Sequence, residues 1–189
     1  MECLCEDNPD CECRSGVAAP ETKELDGAVL RTLTDVDILG TELAKSSYQW
    51  LTTTGGIKFL VIGQDTALFL LPAPDGNGYF QGRLEGFYPN GKVTRLDGGA
   101  VPVVEARDAL EDVADRSGYT YSDKGASWRR TPASDAQLSL LERLQVELPP
   151  LAPGKKLRKG DAGDLISVAK LSRALDPRFA KYVQPQQES

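Results

Sequence analysis

Two Asn-Gly dipeptides, Asn77-Gly78 and Asn90-Gly91, stand at either end of the run Tyr79 to Tyr88 and constrain the fold more than any other feature of the chain. Asn-Gly between extended runs is the strongest short-range hairpin signal, because a type I′ turn needs positive φ at both central residues. Within the run, Tyr79, Gln81, Arg83, Glu85 and Phe87 alternate with Phe80, Gly82, Leu84 and Gly86. That pattern describes a half-buried strand whose glycines let it bend. Further short runs, Tyr48 to Thr53, Lys58 to Ile62, Ala67 to Leu71 and Lys92 to Leu96, are separated by turn residues such as Gly55-Gly56 and Gln64-Asp65. The expected centre is a small antiparallel β-meander of four or five strands.

Helical spacing brackets the meander. Leu30 to Ala44 carries a weaker helical pattern, broken near Gly40. Ala106, Leu110, Val113 and Ala114 recur on one face and predict a helix from about Val104 to Arg116, covering one side of the sheet. Its acids, with Glu105, Asp108, Glu111 and Asp112 among them, read as a solvated face rather than as acid/base or metal chemistry, and Tyr119 and Tyr121 read as packing residues. Further on, Ser134-Asp135-Ala136-Gln137 fits a capping box, followed by the stripe Ala136, Leu140, Leu141 and Leu144. Leu148-Pro149-Pro150-Leu151-Ala152-Pro153 cannot continue a helix and predicts an extended connection. A second helix is expected from Gly160 or Asp161, with Ala162, Leu165, Ile166 and Ala169 inward and Asp161 and Asp164 at its positive end.

The fold class that follows is α+β: a small antiparallel meander with a covering helix, a C-terminal module of two to three helices, and an N-terminal Cys knuckle. By composition the chain divides into a Cys-rich knuckle (1–14), a linker (15–27), an α+β domain (28–123), a basic helical module (124–183) and a disordered tail (184–189).

Charge separates the two main parts. The net charge of -6 hides 10 Lys+Arg against 21 Asp+Glu up to Asp123, and 12 against 7 from Lys124 onward. Such asymmetry points to an acidic partner, nucleic acid above all, for the basic end; an acidic domain that happens to carry a basic tail is the plainer reading. The sequence has no histidine. That excludes Ser-His-Asp and Cys-His catalysis, His-ligated zinc and a His general base, and no enzymatic activity is expected. No apolar run approaches the roughly 20 residues that span a bilayer. The acidic, Cys-rich start lacks the pattern of a signal peptide. No membrane partner is expected, and the expected location is cytoplasmic.

All four cysteines, Cys3, Cys5, Cys11 and Cys13, fall in the knuckle as C-x-C-x5-C-x-C. Four thiolates this close can close a tetrahedral structural zinc site, although C-x-C is a poorer match than the usual C-x-x-C. A redox-active tail and disulfides are the alternatives, the latter weak in a cytosolic chain.

The basic end carries the most specific pattern. Trp128-Arg129-Arg130, then Pro132-Ala133-Ser134-Asp135-Ala136-Gln137, Leu140-Leu141 and Leu144, is followed by Arg158-Lys159-Gly160-Asp161-Ala162-Gly163-Asp164-Leu165-Ile166. This pair of segments resembles a short C-terminal accessory module of bacterial and phage superfamily 2 (DEAD/DEAH-type) helicases, similar in shape to SAP and helix-extended-loop-helix motifs. The resemblance covers at most about 70 of the 189 residues. Gln145 replaces the family's glycine after the first helix, so that helix is expected to end without a favourable left-handed residue. Arg158 replaces its capping threonine. Neither a G-x-x-x-x-G-K-[ST] loop nor a DEAD-like box occurs, so ATP hydrolysis is not expected.

The resemblance implies a helicase-associated, non-catalytic protein that binds DNA or RNA, with a helicase or another replication protein as possible partner. Lys155, Lys156, Arg158 and Lys159, with Arg129 and Arg130 alongside, would meet phosphates, helped by the amides at the second helix start. Trp128 would either stack on a base or, the stronger reading, anchor the module by apolar packing. The competing reading is an adaptor or inhibitor whose acidic middle domain binds a replication, transcription or host-defence protein.

Overall fold

A computed structural model describes residues 39–96 and 98–182. The chain is α+β. Helical residues 39–45 (α1) lead into five strands, β1 (Leu51–Thr52), β2 (Lys58–Gly63), β3 (Thr66–Pro72), β4 (Tyr79–Glu85) and β5 (Lys92–Arg95). Then follow α2 (Val103–Ser117), a 3-10 turn (Ser127–Arg130), α3 (Asp135–Arg143) and α4 (Lys159–Phe179). The helix of residues 39–45 runs through Gly40 without a break; the rest of the helical pattern expected there, the knuckle with its four cysteines, the linker and the tail lie outside the described residues.

The strands form one antiparallel meander in sequence order, as their turn spacing predicts. Phe59 pairs with Phe69, Leu60 with Leu68, and Phe69 in turn with Gly82, so a phenyl ring covers the bare position on β4. Both Asn-Gly hairpins form, but neither asparagine takes a left-handed conformation: Gln145 is the one non-glycine at positive φ among the described residues. In the β3–β4 loop the left-handed step falls on Gly76 (φ 70), while the Asn77 amide donates to Asp75 Oδ1 at 3.1 Å. The β4–β5 link is closed by Gly91 N–H donating to Tyr88 O at 2.9 Å, with Pro89 supplying the preset φ of a turn's second position.

Both faces of the sheet are covered, where the sequence predicted a helix on one. The reason lies in β2 and β3, whose Phe59 to Ile62 and Ala67 to Leu71 are buried without alternation and so cannot leave a face to water. On one face Leu60, Ile62, Leu68 and Leu70 pack against Leu39 and Leu43 of α1 and Ala106, Leu110 and Ala114 of α2. On the other, Phe59, Val61, Phe69, Leu71 and Leu84 pack against Leu171, Ala174 and Leu175 of α4. The sheet and the C-terminal helices thus share a core. Polar ties fix α4 at both ends of the meander: Ser172 Oγ accepts from the Thr54 amide (2.9 Å), Asp176 Oδ2 from the Gly55 amide (2.8 Å), and Arg178 donates to Gly91 O (2.7 Å) and to Pro89 O. Among the described residues no helix is long and apolar enough to cross a membrane.

Candidate nucleic-acid interface

The first half of α4, α3 and the segments that flank them build a second, smaller core from Leu141, Leu157 and Ala162, with Ala133, Val146, Leu165 and Ile166 at its edge. The capping box of α3 is complete: Ser134 Oγ accepts from the Gln137 amide (3.3 Å) and Gln137 Oε1 accepts from the Ser134 amide (3.1 Å). Of the predicted stripe only Leu141 is buried; Leu140 and Leu144 are half-buried and Ala136 is exposed. A nine-residue helix at the rim touches α4 along one line and has nothing else to bury against.

The inward face of α4 holds Ala162, as its apolar spacing predicts, but is otherwise made of small residues that the spacing does not mark. Gly160, Ala162, Gly163 and Ser167 are buried, while Leu165, Ile166 and Ala169 are half-buried. Small residues face inward because the segment Tyr121 to Arg129 lies against them. A Cβ on Gly160 would stand 2.8 Å from Arg129 Cβ, and one on Gly163 would overlap the Tyr121 hydroxyl. Glycine lets the helix approach this closely.

Into that contact fold the residues expected at the interface. The Arg129 guanidinium pairs with Asp164 and donates to Tyr121 O at 3.1 Å, with only 10% of the Arg129 side chain and 16% of the Asp164 side chain exposed. Burial pushes the Asp164 carboxyl above its ordinary range, and the adjacent guanidinium only partly offsets this. The Trp128 ring is half-buried and packs on Tyr121, centroids 5.1 Å apart, with Tyr119 continuing the row. Burial also raises the Tyr121 phenol. Arg129 is therefore committed inside the protein. Nothing in the local pattern around Asp164 signalled this; the clue was that Arg129 and Asp164 both belong to the paired segments singled out above.

The remaining cations are placed together on the surface. Residues 131–133 run antiparallel to 157–159: Ala133 N–H donates to Leu157 O (2.8 Å), Lys159 N–H to Thr131 O (2.7 Å), and Pro132 bridges Arg158. Gln137 Nε2 adds a bond to Lys159 O at 3.1 Å. This pairing sets Arg130 beside Lys159 and Arg158. Arg130, Lys155, Lys156, Arg158 and Lys159 are all exposed, and none forms an ion pair among the described residues. Arg158 is the N-cap of α4 and makes no side-chain cap bond.

A cleft of about 390 Å³ lies between Tyr48, Asp115, Tyr119 and Asp123. The Tyr48 hydroxyl donates to Asp115, which, with burial and the charges of Asp115, Glu111 and Asp123, pushes the phenol up to about 12. Glu111 also accepts from Trp50 Nε1 at 2.8 Å, so the acids of α2 partly serve to dock the chain that precedes β1. Among the described residues no group of three or more Cys, Asp or Glu is arranged to hold a metal ion. The chain matches no protein-family model, no curated protein and no solved structure.

Proposed function

We propose that this is a non-catalytic nucleic-acid-binding accessory protein, associated with a helicase, that grips DNA or RNA phosphates through Arg130, Lys155, Lys156, Arg158 and Lys159. One observation carries the reading: five exposed cations, free of acidic partners among the described residues, lie on or directly before two segments, 131–133 and 157–159, that pair at the start of a 21-residue helix. Four of them lie within five residues, so they present a short, dense strip of positive charge. The partial positive charge of the α4 N-terminus adds to it. Arg129 falls outside this set because its charge is spent on Asp164.

Contacts of this kind bind phosphate and carry little sequence information. Five of them predict a slope of log K against log salt of about −4.5 on duplex DNA and about −3.5 on single strands. Between 50 and 200 mM salt that is a loss of roughly 500-fold on the duplex and roughly 100-fold on the single strand. The test is a fluorescence-anisotropy titration of labelled duplex and single-stranded probes across this salt range. Replacing Lys155, Lys156, Arg158 and Lys159 together with Glu should abolish binding. Unchanged affinity in that variant, or a slope near zero in the parent, refutes the proposal.

A further inference from the structure

The segment Leu148 to Pro153 bridges α3 and α4 and plays no part in the phosphate contacts proposed above. We propose that it is a docking ligand in the polyproline II conformation, displayed for a folded partner domain with an aromatic-lined groove and an acidic rim.

Conformation comes first. Pro149, Pro150 and Pro153 have φ fixed near −65°. A residue that precedes proline is held to extended backbone, which applies to Leu148, Pro149 and Ala152. Only Leu151 is left unconstrained by a proline. Residues 146–152 form neither helix nor strand, and the amides of Glu147, Leu148 and Leu151 make no backbone hydrogen bond among the described residues. The alternating proline pattern therefore meets no competing structure.

Presentation comes next. At the near end Val146 packs at the edge of the small core and its amide donates to Leu141 O at 3.1 Å. At the far end Leu157 is only 5% exposed, and its carbonyl accepts from Ala133. Between these anchors the chain stands in solvent. Leu148 and Leu151 are 44% and 46% exposed, two of the few large apolar side chains so exposed among the described residues. A polyproline II helix has three residues per turn, which aligns Leu148 with Leu151 on one edge and Pro150 with Pro153 on the next. Two adjacent apolar edges on a stiff rod are what an aromatic groove receives, at little entropic cost because the rod is already ordered.

Charge fixes the character of the partner. Directly after Pro153 the chain turns, with Lys155 N–H donating to Ala152 O at 2.9 Å and Gly154 at φ 75, and delivers the exposed Lys155 and Lys156 beside the rod. They complement acids at the end of the groove. Phosphate binding would use these lysines but leaves the two exposed leucines without a role.

The test uses the full chain against a panel of purified Src-homology-3 and WW domains, each isotope-labelled and followed by amide chemical shifts. The expected result is saturable shifts confined to the aromatic groove of at least one domain. Replacing Pro150 and Pro153 together with Ala should weaken that binding at least tenfold, Leu151→Ser should weaken it severalfold, and affinity for duplex DNA should not change in either variant. Circular dichroism at 222 nm should show both variants folded as the parent. No groove shifts with any domain, or binding that survives the double proline variant, overturns the proposal. So does a loss of DNA affinity in the proline variant, which would assign the segment to nucleic acid.

Discussion

Gln145→Gly should stabilise this protein. α3 ends in a Schellman turn, in which the Val146 amide donates to Leu141 O (3.1 Å) and the Gln145 amide to Glu142 O (2.9 Å). The geometry places Gln145 at φ 55, in the left-handed region. The expectation that α3 would end without a favourable left-handed residue holds: the left-handed turn is made, by a residue poorly suited to it. A side chain there costs about 1–2 kcal/mol through the clash of Cβ with the following carbonyl. Glycine removes that clash but makes the unfolded chain freer, which returns about 0.4–1 kcal/mol. The net gain is about 0.5–1 kcal/mol. Gln145 is exposed and its side chain makes no hydrogen bond with the described residues, so no contact is lost in exchange. For a chain of this length the melting midpoint should rise by about 1–4 °C. Far-UV circular dichroism measures that rise, and urea unfolding should show a higher midpoint at unchanged m. Gln145→Ala keeps the Cβ and should gain much less. A Gly variant that melts at or below the parent, or an Ala variant that gains as much, would refute the reasoning.

Other positions give sharper losses. Gly163→Ala should destabilise by about 1–3 kcal/mol, because its Cβ would overlap the Tyr121 hydroxyl against a packed helix; adding Tyr121→Phe, which opens that space, should recover part of the loss in the same chemical-denaturation assay. Arg129→Met leaves the Asp164 carboxylate enclosed without its cation and should cost about 3 kcal/mol, a deficit that shrinks as acid protonates Asp164, and a pH-independent deficit would contradict the pairing. Tyr48 holds its proton up to about pH 12 in the folded state against 10.0 otherwise. Its contribution is thus complete below pH 10.0 and lost as the pH rises towards 12, so the alkaline branch of a stability curve should flatten in Tyr48→Phe, and an absorbance titration at the tyrosinate band should lose a phenol that ionises near pH 12.

The meander was legible because its turns and its strands agree. Gly55-Gly56, Gln64-Asp65 and the two Asn-Gly pairs each fall at a strand break; β2, β3 and β5 lie within a residue of their predicted bounds, and β4 ends at Glu85, three residues before Tyr88. β1 is the exception: of Tyr48 to Thr53 only Leu51–Thr52 pairs, since Tyr48 and Trp50 turn aside to bond Asp115 and Glu111. Turn type was less legible, because a dipeptide states which residues tolerate positive φ and not which of them will use it. Gly76, one position before Asn77, took that role. The covering of the second sheet face was written in the unbroken apolar runs of β2 and β3. Its source was not, since the sheet is covered by the second half of α4 while the first half packs in a separate core. The apolar spacing of α4 found Ala162 and the edge residues Leu165 and Ile166 but missed Gly160, Gly163 and Ser167: the first half of the helix meets bulky side chains, and small residues, which carry little weight in a hydrophobic pattern, decide such a contact.

That last point changes how the paired segments of the C-terminal module should be understood. Within those segments Trp128, Arg129, Ser134, Gln137, Gly160 and Asp164 each touch another residue of the fold: Trp128 lies on Tyr121, Arg129 on Asp164 and Gly160, Gln137 on Ser134 and on the carbonyl of Lys159. Contacts of this kind account for these residues by packing before any ligand is invoked. The cations left over, Arg130, Lys155, Lys156, Arg158 and Lys159, satisfy nothing inside the protein and carry the side-chain stems of a solvent-facing strip. In the proposed function, packing and phosphate binding fall to different residues of the same short stretch. Changes in the first group should act through stability and leave the salt dependence of binding alone, whereas changes in the second should alter that dependence and leave the fold alone.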